Sequence, residues 1–332
     1  VAVTETWNGT NWTETGDLNT GRAALGGAGT NTLGLAFGGS APAVNGLTEE
    51  WTGAGAAVGA WATGGNMNTG KRQTAGGGSQ SAGISFAGEN NTANQIANTE
   101  LYNGSTWTEV NDLNTARYLL GGAGAENTSA IAVGGEQWNG TNWTETGDLN
   151  TARRQLAVNA ANSSNALAFG GGTPPYTAVT ESFNGTNWTE VNDLNQARSD
   201  LAGVGTYNAG LAIGGDTPGM SANVESWNGT NWTEVNNINL ARAYLAGSST
   251  SQTAAIVFGG NSPTVPGETG KTEEWNGVSW VEVADLNTAR DNLAGGGTAT
   301  AGLAFAGVPP SPAGNLTEEW NVPSNVVKTL TD

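Results

Sequence analysis

The sequence predicts an all-β protein, a closed propeller of seven four-stranded antiparallel blades. Three observations carry this prediction. Arg22, Arg72, Arg117, Arg153, Arg198, Arg242 and Arg290 recur at intervals of 36 to 50 residues, the length of a four-stranded blade and too long and uneven for a leucine-rich or β-helical coil. All thirteen tryptophans fall at two positions of the repeat, and 52 of the 332 residues are glycine. A chain of this kind forms short strands joined by tight turns, and one such sheet cannot bury both of its faces. Stacking several around an axis buries both faces and leaves only short, protected edges.

Residues 227–260 display the unit. Glu225 and Trp227 share one strand face, because side chains alternate with period two. Asn228-Gly229 supplies the positive φ that a tight hairpin needs, so Trp227 and Trp232 fall on paired strands. Past the connector that carries Arg242, Leu245 and Ala246 belong to a third strand, and 254–258 form a fourth that ends at Gly259-Gly260.

In chain order, residues 1–15 hold an outer hairpin, with Trp7 and Trp12 on its two strands and no inner pair before it. Blades follow at about 20–66, 69–111, 115–147, 151–192, 196–236, 240–284 and 288–330, so residues 1–332 read as one propeller. In the first of these blades Trp51 and Trp61 stand ten residues apart, with 53–59 as a longer turn. In the third, Gly135 runs directly into Glu136 and Trp138. Seven inner pairs face eight outer ones, so either 1–15 or 325–330 closes the last blade. The N-terminal hairpin is the better candidate because it keeps both tryptophans, whereas Asn325 stands where the C-terminal copy needs the second.

The order arginine, apolar strand, Gly-Gly, Glu-x-aromatic, then tryptophan resembles the kelch repeat. Gly38-Gly39, Gly134-Gly135, Gly170-Gly171, Gly214-Gly215 and Gly259-Gly260 match the double glycine of that family, while Ala87-Gly88 and Ala306-Gly307 depart from it. The family's tyrosine position holds Trp7, Trp51, Trp138, Trp227, Trp275 and Trp320, with Tyr102 and Phe183 as exceptions. The resemblance implies the propeller fold but no single function, since such propellers serve as enzymes, adaptors and adhesion modules. The near-identical blades rich in Asn, Thr and Gly also resemble repeat proteins of marine bacteria and their phages, especially tail-fibre and surface proteins.

Composition excludes several roles. Net charge is −18, and beyond the seven repeat arginines the only basic residues are Lys71, Arg154, Lys271 and Lys328. Without a basic stripe, counterion release cannot drive binding to phosphate backbones, so neither nucleic acid nor an anionic membrane is an expected partner. No stretch approaches 18 apolar residues, so no membrane insertion is expected. Strong acidity favours solubility and suits a salty, extracellular setting. Charged residues make up only 12% against about 25% in ordinary proteins, an inert inventory. Val1 is not an initiator methionine and no basic-plus-apolar leader follows it, which reads as a mature, clipped or partial chain.

Zero histidine and zero cysteine remove the commonest general base, the commonest metal ligands and any thiolate chemistry. No enzyme, cofactor or metal site is expected. Asp17, Asp112, Asp148, Asp193 and Asp285 each precede leucine in a connector, but one carboxylate per loop falls short of the cluster calcium wants; turn and cap hydrogen bonding accounts for them. The seven arginines are expected to pair with Glu5, Glu100, Glu136, Glu181 and Glu225 and their repeat equivalents, since a buried guanidinium demands a partner. Trp12, Trp107, Trp143, Trp188, Trp232 and Trp280 are expected to pack between blades.

The residues left over from the repeat are Arg154, Asp200, Tyr244 and Asp291 near the inner-strand starts and Tyr176 in a loop. They lie in different blades around the axis, and Arg154, Tyr176, Asp200 and Tyr244 are the candidate binding residues at the channel mouth, where drift at a tolerant position is the alternative. The long connections after each Gly-Gly vary from blade to blade and emerge on the same rim as the connectors; any recognition belongs there. The expectation is a non-enzymatic extracellular or virion-surface module, structural or adhesive, whose partners are other structural proteins, copies of itself, or a glycan or protein receptor. A lectin-like glycan-binding propeller and a glycoside-processing enzyme built on a carboxylate pair are the alternatives.

Overall fold

The computed structural model describes residues 59–172, 175–308 and 314–322, and earlier in the chain the strands Glu5–Trp7, Trp12–Glu14, Gly26–Gly29, Leu33–Phe37 and Thr48–Thr52. It divides into two compact units, one comprising 1–58 and 323–332, the other 59–322.

In the first unit, Glu5–Trp7 pairs antiparallel with Trp12–Glu14, and Trp7 stands opposite Trp12. Gly26–Gly29, Leu33–Phe37 and Thr48–Thr52 form a three-stranded antiparallel sheet in chain order.

The second unit is the propeller, and it has six blades. Blade 1 is Ala75–Ser79, Ala82–Phe86, Thr99–Tyr102 and Trp107–Val110. Blade 2 is Gly122–Glu126, Ser129–Ala132, Glu136–Trp138 and Trp143–Glu145. Blade 3 is Ala157–Asn162, Asn165–Phe169, Thr180–Phe183 and Trp188–Val191, and blade 4 is Ala202–Thr206, Ala209–Ile213, Val224–Trp227 and Trp232–Val235. Blade 5 is Ala246–Ser248, Ala255–Phe258, Thr272–Trp275 and Trp280–Val283. Blade 6 takes Ala294–Gly297, Ala301–Phe305 and Thr317–Asn321 from the end of the ring and its outermost strand, Ala60–Thr63, from the beginning. The innermost strands touch one another in a closed cycle.

This corrects the expected count of seven. The repeat at 20–66 is not a blade, because its outermost strand has gone to blade 6: Trp61 stands opposite Trp320, while Trp51 stands opposite Gly34 in the first unit. The longer turn expected at 53–59 falls, apart from Gly59, outside the described residues, and the two units divide after residue 58. The hairpin at 1–15 does not close the ring either, since its two strands pair only with each other among the described residues. Residues 325–330 lie outside the described residues.

The closing strand occupies the same slot as every other outermost strand. In blade 4 the Asn195 amide donates to the Trp232 carbonyl at 3.3 Å, and in blade 6 Asn287 donates to the Trp61 carbonyl at 3.1 Å. The Trp61 indole N–H reaches Thr272 of blade 5 at 3.1 Å, as Trp143 reaches Thr99 and Trp232 reaches Thr180. Its ring meets Phe258 edge-on with centroids 4.8 Å apart. The seam is thus as well bonded as the other interfaces. Six apolar clusters fill the six gaps between blades, each joining the second-strand residues of one blade to the tryptophan or tyrosine hairpin of the next.

The Asn-Gly turns form as the repeat requires. In blade 4 the Asn228 Oδ1 accepts from the Thr230 and Asn231 amides at 3.0 and 2.8 Å, and Gly229 takes φ 90°. The double glycine marks two consecutive left-handed residues: Gly214 and Gly215 have φ 62° and 105°. Where alanine replaces the first glycine, Ala87 and Ala306 accept φ 59° and 60°.

Buried ion pairs hold each connector to its blade. Arg198 is fully buried; it lies 2.9 Å from Glu225 and donates to the Gly214 and Asn223 carbonyls. The other Glu225 oxygen accepts from the Asn195 backbone and side-chain amides at 2.7 and 2.8 Å. Arg117–Glu136, Arg153–Glu181, Arg242–Glu273 and Arg290–Glu318 repeat the arrangement. Blade 1 departs. Lys71 fills the buried position, 3.6 Å from Glu100, while Arg72 points instead to Glu89 with 42% of its side chain exposed. The marker at 72 is therefore displaced by one residue from the repeat position. Arg22 and Asp17 lie outside the described residues, and of Trp12 only the backbone strand is described.

Burial lowers the Lys71 ammonium to about 8, against the pull of Glu100, and beyond that ion pair it has one bond, to the Asn98 carbonyl at 3.3 Å. A guanidinium there could make the several bonds seen in the other blades. Lys71→Arg is expected to raise stability by about 1–2 kcal/mol. Urea unfolding checks it, and a loss of stability would mean that the blade 1 pocket has shrunk around lysine.

Candidate functional site

Connectors and second-to-third-strand loops share one rim. The backbone pairs Ser199 with Asp216, Ala243 with Asn261, and Asp291 with Val308, and Lys71–Arg72 pairs with Glu89–Asn90. These loops differ from blade to blade. Blade 4 carries a small hairpin, Asp216–Thr217 with Gly219–Met220, and blade 5 carries Asn261–Ser262 with Val265–Glu268. Blade 2 has only Val133 to Gly135 between its two middle strands.

At the centre of this rim the residue two past each buried cation is left-handed. Gln73, Leu119, Gln155, Asp200, Tyr244 and Asn292 have φ between 51° and 59°. A left-handed residue with a Cβ costs about 1–2 kcal/mol, and a closed circle of backbone bonds offsets it. The Gln73 N–H donates to Asn292, Leu119 to Gln73, Gln155 to Leu119, Asp200 to Gln155, Tyr244 to Asp200 and Asn292 to Tyr244, at 2.8 to 3.2 Å.

The side chains of this circle line a cavity of about 100 Å³. Its floor is a collar of Thr74, Leu120, Leu156, Leu201, Leu245 and Leu293, which also caps an axial chamber of about 200 Å³ walled by the innermost strands. Close approach explains the glycines of that wall: a Cβ on Gly77 would sit 2.5 Å from the Gly124 carbonyl oxygen.

The candidate residues fall at or beside the mouth. Asp200 and Tyr244 are consecutive members of the circle. One oxygen of Asp200 accepts from the Ser199 hydroxyl at 2.7 Å and from the Gln155 amide at 3.0 Å. The Tyr176 hydroxyl donates to Asp216 at 2.7 Å. That bond, ahead of burial, raises the Tyr176 phenol. Burial, followed by the charges of Asp200 and Asp216, pushes Tyr244 up to about 12. Asp291 is buried next to the circle, accepts from Asn261, and is raised by burial. Arg154 is exposed; it lies 3.5 Å from the Tyr118 hydroxyl and lines a separate cleft of about 460 Å³ with Pro175 and Thr177.

Gln73, Gln155 and Asn292 escaped sequence reasoning as mouth residues. The signal was present: counted from the buried cation, the second residue varies in every blade while the third is leucine in five of six.

The Asp200 carboxyl is pushed up to about 6, by burial first, against the bonds from Ser199 and Gln155. The folded protein holds this proton more tightly than the unfolded chain, so stability falls as pH rises from about 4 to about 6 and stays lower above. Asp200→Asn should therefore add about 1–3 kcal/mol at pH 7.5 and little at pH 4. Urea unfolding at both values checks this, and an equal effect at both would show that charge is not the cost.

Three connector aspartates tie the connector back to the third strand of the same blade rather than capping a local turn: Asp112, Asp193 and Asp285 accept from the amides of Thr99, Thr180 and Thr272 at 3.0 to 3.2 Å. Among the described residues no three carboxylates gather as a metal site would need. No protein-family model matches this chain, and no curated protein does.

Proposed function

We propose that the protein is a non-enzymatic, extracellular structural or adhesive module of a surface assembly, a phage tail or virion fibre or a bacterial surface protein, which presents its rim to a receptor. The observation that carries this reading is where the blades differ. The Asn-Gly hairpins at 103–104, 139–140, 184–185, 228–229 and 276–277 are nearly uniform, while loop length and sequence vary at the opposite end around a mouth of polar side chains. A rigid ring allows loops to vary at little folding cost, and several copies together gain avidity from weak contacts. The resemblance to kelch repeats and to the repeat proteins of marine bacteria and their phages is consistent with it, as is the charge of −18.

The experiment is binding of the purified protein, fluorescently labelled and clustered on beads, to whole bacterial cells. Saturable binding that disappears when residues 173–179 and the neighbouring rim loops are exchanged supports the reading. Absence of binding even when clustered leaves the ring as a building block. A second reading, a lectin-like propeller, draws on the amide, carboxylate and phenol groups at the mouth; one selective hit on a glycan array would favour it.

A further inference from the structure

The mouth holds a carboxylate that no cation of the chain pairs with directly among the described residues. Asp200 is partly buried, its two side-chain hydrogen bonds come from the neutral groups of Ser199 and Gln155, and among the described residues no cation stands within ion-pair distance of it, the exposed Arg154 acting on it only from farther away. The buried glutamates of the blades are treated otherwise: Glu136, Glu181, Glu225, Glu273 and Glu318 each meet an arginine, while Asp291, the other buried aspartate beside the circle, is held by Asn261. An enclosed charge needs a partner, and here the space beside it is an open cavity rather than packed side chain.

The cavity also selects size and shape. About 100 Å³ above an apolar collar admits the end of one side chain or a small cation and stops it at the leucines. The Tyr244 ring, the next member of the circle, adds an aromatic wall suited to a cation. The Gln73 Oε1 has no hydrogen-bond partner, and Asp216, held by Tyr176, extends the negative field outside.

We propose that the axial mouth binds a single organic cation, an ammonium or guanidinium group, with Asp200 as its counter-charge and Tyr244 as its aromatic wall. The assignment rests on the reading of this rim as the recognition surface and names the chemistry it recognises.

The test is ligand-observed NMR titration of the whole protein, at neutral pH and low salt, with butylguanidinium, butylammonium and the neutral near-isostere butylurea. Both cations should bind saturably, with butylurea at least tenfold weaker. Asp200→Asn should weaken cation binding at least tenfold and Tyr244→Leu severalfold, while Glu190→Gln on an exposed outer strand changes nothing. Asp200→Asn is expected to be the more stable protein, so a thermal melt separates lost binding from lost fold. Binding that is unsaturable, equal for butylurea, or unchanged in Asp200→Asn overturns the proposal.

A capped Gly-Gly-Arg-Gly-Gly peptide distinguishes the sources: binding at least as tight as butylguanidinium assigns the site to a partner protein's side chain, and binding of the free cations alone assigns it to a small molecule. Wild-type protein that binds cells on beads but does not bind butylguanidinium would sink this assignment and leave the adhesive reading intact. Normal butylguanidinium binding by a protein that binds no cells would do the reverse.

Discussion

Removing residues 1–58 should leave the thermal transition of the six-bladed ring where it is, whereas a truncation that also removes Ala60–Thr63 should lower stability by about 5 kcal/mol or more. The first cut takes no strand from any blade. The second deletes the outermost strand of blade 6. Losing the buried Trp61 alone costs about 3–5 kcal/mol, and the cut also removes its bond to Thr272, its carbonyl's bond from Asn287 and the ladder to Thr317–Asn321. It leaves Glu318 and Trp320 on an open edge, which invites association. Calorimetry on residues 59–332 and 64–332 decides it. Equal melting temperatures would show that the ring does not depend on its seam.

Arg198→Met should destabilise the protein by about 3–5 kcal/mol, because it leaves the buried Glu225 carboxylate without its cation. Burial pulls the Arg198 guanidinium down, against the pull of Glu225, so the pair is costly to bury and costlier to break. Arg198→Met combined with Glu225→Gln should recover part of the loss, since the amide carries no charge to strand. Urea unfolding of the single and double variants measures the coupling. If the double variant is no better than the single, the loss lies in the guanidinium's bonds to Gly214 and Asn223 rather than in the ion pair.

The blade itself was legible in the sequence. Trp227 and Trp232 pair across an Asn-Gly turn, and the arginines reach the Glu of Glu-x-Trp. The number of blades was not, for a physical reason. Thr48 to Trp51 and Thr317 to Trp320 have the same sequence, Thr-Glu-Glu-Trp, so either can accept the strand at 60–63. Closing the short link to Thr52 costs about 3 kcal/mol less loop entropy than reaching across the whole ring, and pattern reading follows the short link. The long-range choice wins through contacts that exist only once the ring has formed, with Thr272, Phe258 and Asn287. Lys71 was hidden in a similar way: Arg72 beside it carried the expected letter, and only packing shows which cation is buried. At the mouth, Asp200 and Tyr244 stood out because they broke the repeat. Gln73, Gln155 and Asn292 did not, since a variable polar residue reads as drift until the backbone circle brings six such positions together.

The closing strand also determines how the ring bears load. Ala60 stands opposite Asn321, and Thr63 opposite Glu318, so the chain enters and leaves the ring at the same end of two neighbouring antiparallel strands. Tension applied through residues 59 and 322 pulls those strands apart one hydrogen bond at a time instead of shearing the whole ladder at once. Blade 6 peels first, and blades 1 to 5 carry no force until it has. In series with other domains the propeller would act as a mechanical fuse, yielding at low force through one strand and able to re-form by restoring that strand alone.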